Sequence, residues 1–102
     1  MISSSATVTA QVGSGIDPSL LDDAIERGRA ACALYPVGTL DISVRRTGHP
    51  AMPDAVLADI RASMRGRRFR SRAVASTFDS ALDHALERLA EQLDRHATPT
   101  AV

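Results

Sequence analysis

Six arginines, Arg61, Arg65, Arg67, Arg68, Arg70 and Arg72, fall within twelve residues with no acid among them. A guanidinium is planar, permanently charged and able to donate two parallel hydrogen bonds. Such a cluster therefore suits phosphate groups and stacking on exposed bases. RNA of irregular shape is recognised largely through phosphate, 2′-hydroxyl and stacking contacts, all of which this stretch can supply. The competing reading is a solvated strand face that uses charge to block edge pairing. Against it, six arginines without a counter-charge would repel one another, so the cluster points to a polyanionic partner.

Other residues capable of chemistry lack the company they need. His49, His84 and His96 are far apart, and no Cys or His pair has metal-ligand spacing. Asp83, Glu87, Glu91 and Asp94 recur at helical steps, which reads as a solvated helix face rather than paired catalytic carboxylates. Gly13-Ser14-Gly15 precedes a helix but lacks the full glycine fingerprint and basic partner of a nucleotide loop, so a turn is expected. Cys32 is the sole cysteine and lies in an apolar helical stretch, where a buried, inert thiol is expected. No enzyme, cofactor, metal site or small-molecule substrate is expected.

The elements that must position the arginines follow from periodicity. Ala6–Val12 alternates, with Val8, Ala10 and Val12 on one side, as in a half-buried strand. Asp17 then offers an N-cap and Pro18 a first helical residue. Leu21, Ala24 or Ile25, Gly28, Ala31 or Cys32, and Tyr35 make an apolar stripe, and Pro36 and Gly38 close that helix. Thr39–Arg45 alternates again with Leu40, Ile42 and Val44 inward, and Thr47–Pro53 is a loop.

In Ala55–Arg65, Ala, Leu and Met favour a helix. The strict period of two, Val56, Ala58, Ile60, Ala62 and Met64 against Leu57, Asp59, Arg61, Ser63 and Arg65, predicts a strand instead. Gly66 turns the chain into a hairpin partner, Arg67–Ala75, with Arg68, Arg70 and Arg72 on one side and Phe69, Ser71 and Ala73 on the other. Arg61, Arg65, Arg68, Arg70 and Arg72 can then share a face, with Arg45 on the neighbouring strand and Arg46 beside it. Ser76 and Thr77 offer an N-cap to the last helix, and Ser76 with Asp79 approximates a capping box. Phe78, Leu82, Ala85 or Leu86, Leu89 and Leu93 give its apolar face, running to about His96.

The expected fold is therefore α+β in the order β-α-β-β-β-α: a four-stranded mixed sheet with two helices packed on one face. A right-handed crossover makes the first two strands parallel. The 102 residues suit one domain, expected at 6–96, between a flexible start at 1–5 and a tail or linker at 97–102. The net charge is zero and every cation is arginine. The charge is sorted, however. Residues 1–42 carry −3, residues 43–78 carry +6 and residues 79–102 carry −3. No apolar run is long enough for a membrane span and no secretory signal is visible, so the cytoplasm is the expected compartment.

The last helix carries a more specific signal. Ala81-Leu82-Asp83 followed by Leu89, Gln92 and Leu93 resembles the A-I-D and L-x-x-Q-L positions of the ribosome hibernation-promoting factor family, also called ribosome-associated inhibitor A. Ile16-Asp17-Pro18-Ser19-Leu20 resembles that family's entry to its first helix, and the likeness covers about residues 6–96. The resemblance implies a factor that binds the 30S subunit and its 16S rRNA in the channel for messenger and transfer RNA, inhibiting translation under stress or in stationary phase. It adds Arg27 and Arg29 on the first helix and Arg88 and Arg95 on the second as RNA contacts. Long members of the family dimerise through a C-terminal domain that this sequence does not include.

The departures are also specific. Thr77 stands where the family usually has Asp, Asp79 stands near its aromatic, and Glu91 and Asp94 occupy places that are often basic. Either the RNA contacts have shifted toward the hairpin, or this chain binds more weakly or differently. Two alternatives stay open: a generic structured-RNA-binding module, as in a double-stranded-RNA-binding domain of related α-β-β-β-α order, and a protein-interaction domain with an acidic partner.

Overall fold

A computed structural model of the chain describes residues 6–13, 15–48 and 50–97. The expected segment 1–5, Ser14, His49 and residues 98–102 of the expected tail lie outside the described residues. The elements are β1 (Thr7–Val12), α1 (Leu21–Cys32), β2 (Val37–Arg46), β3 (Val56–Met64), β4 (Arg67–Ala75) and α2 (Phe78–Ala97). The strands form one sheet in the order β1-β2-β3-β4, with β1 and β2 parallel and the other pairs antiparallel. This is the expected α+β architecture, and the stretch expected at 55–65 is a strand rather than a helix, as its period of two required, though it runs only over Val56–Met64 and Arg65 belongs to the turn.

Both helices cover the same face. Alternation puts Leu40, Ile42 and Val44 of β2, Val56, Ala58, Ile60, Ala62 and Met64 of β3, and Phe69 and Ala73 of β4 into the core. Helix α1 lies over β1 and β2, and α2 over β3 and β4. Leu82, Leu89 and Leu93 of α2 are fully buried in the same cluster as Leu40, Ile42, Val44 and Ile60 of the sheet. With few aromatics, close packing is reached by bringing backbones together over small residues. Gly28 is the tightest case: a Cβ there would lie 2.8 Å from Ile42 Cδ1 and 2.9 Å from Leu40 Cδ2.

Local chemistry departs from expectation in three places. Asp17 accepts a hydrogen bond from the Ser19 amide, as a cap should, but Pro18–Leu20 is a single 3-10 turn and the α-helix begins at Leu21. Helix α1 stops at Cys32, so Gly38 lies not at its end but in β2, at a register shift between Val37 and Thr39. The expected Ser76–Asp79 capping box does not form. Thr77 caps α2 by accepting from the Ser80 amide at 3.1 Å, and Asp79 turns instead to Arg27. With Thr77 as the cap, Asp79 is the second helical residue and Ser80 the third, so no acid stands where a capping box needs one.

The hairpin turn uses two residues with positive φ, Arg65 at 53° and Gly66 at 78°. Two such residues in succession twist the chain in the sense that joins adjacent antiparallel strands. The turn fixes the register Met64↔Arg67, from which Ser63↔Arg68, Arg61↔Arg70 and Asp59↔Arg72 follow.

Candidate nucleic-acid interface

The sheet face away from the helices is open, and its cross-strand rows can be read from the register. One row runs Thr7, Thr39, Ser63, Arg68; the next runs Thr9, Asp41, Arg61, Arg70; the third runs Gln11, Ser43, Asp59, Arg72. A last row holds Arg45, Leu57 and Val74. The face thus gathers Arg45 from β2, Arg61 from β3, and Arg68, Arg70 and Arg72 from β4, among hydroxyls and two carboxylates. Thr39, Asp41, Arg61, Ser63, Arg68 and Arg70 line a shallow concavity of about 630 Å³.

Its electrostatics are less uniform than the sequence cluster suggests. Arg70 donates from Nε and Nη2 to the two oxygens of Asp59 at 3.0 and 2.7 Å, a bidentate fork, and Arg72 Nε lies 3.8 Å from the same carboxylate. The Arg70 hydrogen bond, joined by the charges of Arg70, Arg72 and Arg61, holds the Asp59 carboxyl below the ordinary aspartate range against the opposing effect of its burial. Asp41 accepts a hydrogen bond from Thr9 and, among the described residues, is not paired with an arginine. The Thr39 and Ser63 hydroxyls are 2.7 Å apart, next to Arg68. Among the described residues, no side-chain hydrogen bond or ion pair engages Arg45, Arg61 or Arg68, although the charge of Arg61 acts on Asp59.

The other candidate arginines occupy different places. Arg65 is not on the face: it forms the exposed tip of the hairpin. Arg67 points to the helix side, where Nη1 donates to His96 Nδ1 at 3.3 Å, and the His96 ring packs 5.1 Å from Phe69. Arg46 joins two loops, donating to the Gly15 carbonyl at 3.0 Å and pairing with Asp54 at 3.6 Å. Arg27 pairs with Asp23 on its own helix at 3.0 Å and ties α1 to α2 through Asp79 and Asp83 at 2.9 and 3.1 Å. Arg88 donates to the Arg72 carbonyl at 2.7 Å, and Gln92 to the Arg70 carbonyl at 3.0 Å. The last two bonds cover outward carbonyls of the edge strand β4 and so protect it from pairing. Arg29 and Arg95 are exposed in the last turns of their helices, where a cation complements the helix dipole.

Sequence reasoning missed Asp59 as the counter-ion of the cluster. The signal was present: a two-residue turn at 65–66 sets Asp59 opposite Arg72. It also did not show that Gln92 serves the edge of the sheet. Cys32 is buried as expected, and burial raises its thiol pKa. Among the described residues no three His, Cys, Asp or Glu side chains are grouped to hold a metal ion, and no helix is long and apolar enough to cross a membrane.

No family model and no curated protein sequence matches the chain. Solved structures do match its fold. The N-terminal domain of Protein Y from Thermus thermophilus has a TM-score of 0.72 at 15% identity, covering 88% of this chain and 98% of that one. A ribosomal subunit interface protein from Coxiella burnetii has a TM-score of 0.63 at 16% identity, covering 89% and 94%. Nearly the whole chain therefore shares this fold, and the fold implied by the resemblance of the last helix is borne out.

Proposed function

We propose that the chain is a ribosome-associated factor that docks the open face of its sheet on ribosomal RNA. The observation that carries this reading is the sorting of charge between the two layers. Arg45, Arg61, Arg68, Arg70 and Arg72 converge on the open face, while most of the acids lie on the helices behind it. A polyanion is attracted to one side and repelled by the other, so the molecule is oriented before contact. Among the described residues the open face displays no aromatic ring, because Phe69 and Phe78 are buried and Tyr35 packs against the core, which favours phosphate and 2′-hydroxyl contacts over base stacking. The fold shared with a ribosomal subunit interface protein supports the ribosome as the partner in this reading.

The finer reading rests on the resemblance in the last helix: binding to the 30S subunit and 16S rRNA, in the channel for messenger and transfer RNA, and inhibition of translation by occupying that space. Arg65 at the hairpin tip and the exposed Arg29 and Arg95 are secondary contacts in this proposal. The test is co-sedimentation with ribosomes and with separated 30S subunits over a salt series. Binding should weaken steeply with salt, each neutralised phosphate contributing about 0.7 to 0.9 to the logarithmic slope. Replacing Arg61, Arg68, Arg70 and Arg72 together by Ala should weaken binding about a hundredfold or more. Failure of the native chain to bind 30S subunits at low salt would sink the proposal, and equal affinity for plain duplex RNA would favour the generic RNA-binding module.

A further inference from the structure

The bidentate fork between Arg70 and Asp59 uses the donor arrangement that a phosphate would use. A carboxylate and a phosphodiester both present two oxygens in a plane to the same pair of N–H groups. The carboxylate sits in the third row of the face, with Arg72 directly opposite and Arg70 on the diagonal, and its side chain is only 17% exposed. Arg70 and Arg72 are about half-exposed, so their outer edges are open to solvent while their inner edges are drawn to Asp59. Neighbouring Gln11 and Ser43 complete that row without charge.

We propose that Asp59 is a built-in competitor for the RNA backbone, a residue that sets how tightly the open face holds phosphates by occupying Arg70 and Arg72 in the free protein. The proposal rests on the RNA-binding reading of this face. In the free protein the cations ready for phosphate are Arg45, Arg61 and Arg68. Arg70 and Arg72 join only as the phosphate takes over the donors that Asp59 holds, and the carboxylate remaining beneath opposes the incoming charge. The result is a weaker and more readily reversed contact than five free arginines would make. Asp41 is the internal comparison, because it places the same charge on the same face but is bonded by Thr9 and holds no arginine.

The experiment compares binding of the intact chain and three variants, Asp59→Asn, Asp59→Glu and Asp41→Asn, to purified 30S subunits over a salt series. Asn keeps the shape, removes the charge and still offers an oxygen to Arg70, so Asp59→Asn should fold with a modest loss of stability; its thermal melt checks this. Asp59→Asn should bind about three to ten times more tightly at low salt, with a logarithmic salt slope steeper by about one to two as the released arginines each displace counterions. Asp59→Glu, which restores the carboxylate, should return the native slope, and Asp41→Asn should leave the slope unchanged. Unchanged or weaker binding by Asp59→Asn would overturn the proposal, since Asp59 would then be positioning Arg70 rather than competing for it. An equal gain in Asp59→Asn and Asp41→Asn would overturn it too, because net charge alone would explain both. If neither the native chain nor any variant binds, the RNA-binding reading fails along with the competitor; native binding without the gain removes the competitor alone.

Discussion

The arginines of this chain divide by what their guanidiniums already hold. Arg27, Arg46, Arg67 and Arg88 are engaged on the helix side or between loops, while among the described residues no side-chain hydrogen bond or ion pair holds Arg45, Arg61 or Arg68 on the open face. Between these groups lie Arg70 and Arg72, shared with Asp59. That sharing has a pH signature. The Arg70 hydrogen bond lowers the folded-state pKa of Asp59 below its unfolded value, so the ionised carboxylate stabilises the fold at neutral pH. This contribution is fully present above the ordinary aspartate range and is lost as pH falls through the lower, folded-state value. Chemical denaturation across pH should therefore show the native chain more stable than Asp59→Asn near neutrality. The two should converge in acid; a stability difference independent of pH would contradict the pairing.

At the scale of the elements, each helix is fitted to the sheet by its smallest residues. Ala24 and Gly28 let α1 approach β1 and β2, and Ala81 and Ala85 do the same for α2 over β3 and β4. Ser71 is the one buried polar side chain among the described residues, and its hydroxyl is satisfied by the Ala85 carbonyl at 2.7 Å. Gly28 has no room for a side chain: the atoms that a methyl would strike belong to Leu40 and Ile42, both almost fully buried. Alanine is the better helix former by about 1 kcal/mol, but overpacking a filled core costs about 1 to 3 kcal/mol. Gly28→Ala should thus lower stability by about 1 kcal/mol in denaturant unfolding, despite the helix propensity it gains. An increase would mean that α1 can lift from the sheet without loss.

The whole molecule behaves as two layers of opposite charge with a net charge of zero. Its interaction with a polyanion depends on which layer faces it, because charges on the far side are separated by about a Debye length or more. Replacing Glu87, Glu91 and Asp94 by their amides should therefore change ribosome affinity by less than about threefold at moderate salt. The four-arginine substitution on the open face should dominate. A larger gain from the helix variant would place α2 against the RNA, as the resemblance implied for the basic positions of that helix.

The sequence by itself determined the secondary structure and the side of each strand that faces the core. Alternation and helical stripes are local records of a half-buried surface, legible without knowing what lies opposite. Val56 to Met64 read correctly as a strand for this reason, and Phe78 to Leu93 as a helix face. The positive-φ pair at Arg65 and Gly66, the failure of the Ser76–Asp79 box and the β2 start at Val37 depended on competition among nearby groups that spacing alone does not rank. Only the tertiary structure decided which arginines are free. Arg27 meets Asp79 and Asp83 across two helices, Arg88 reaches a strand carbonyl, and Asp59 meets Arg70 and Arg72 through the hairpin register. Charge pairing acts through space over a few ångströms, so a cluster that looks unopposed in sequence gains its counter-ion only when the strands align.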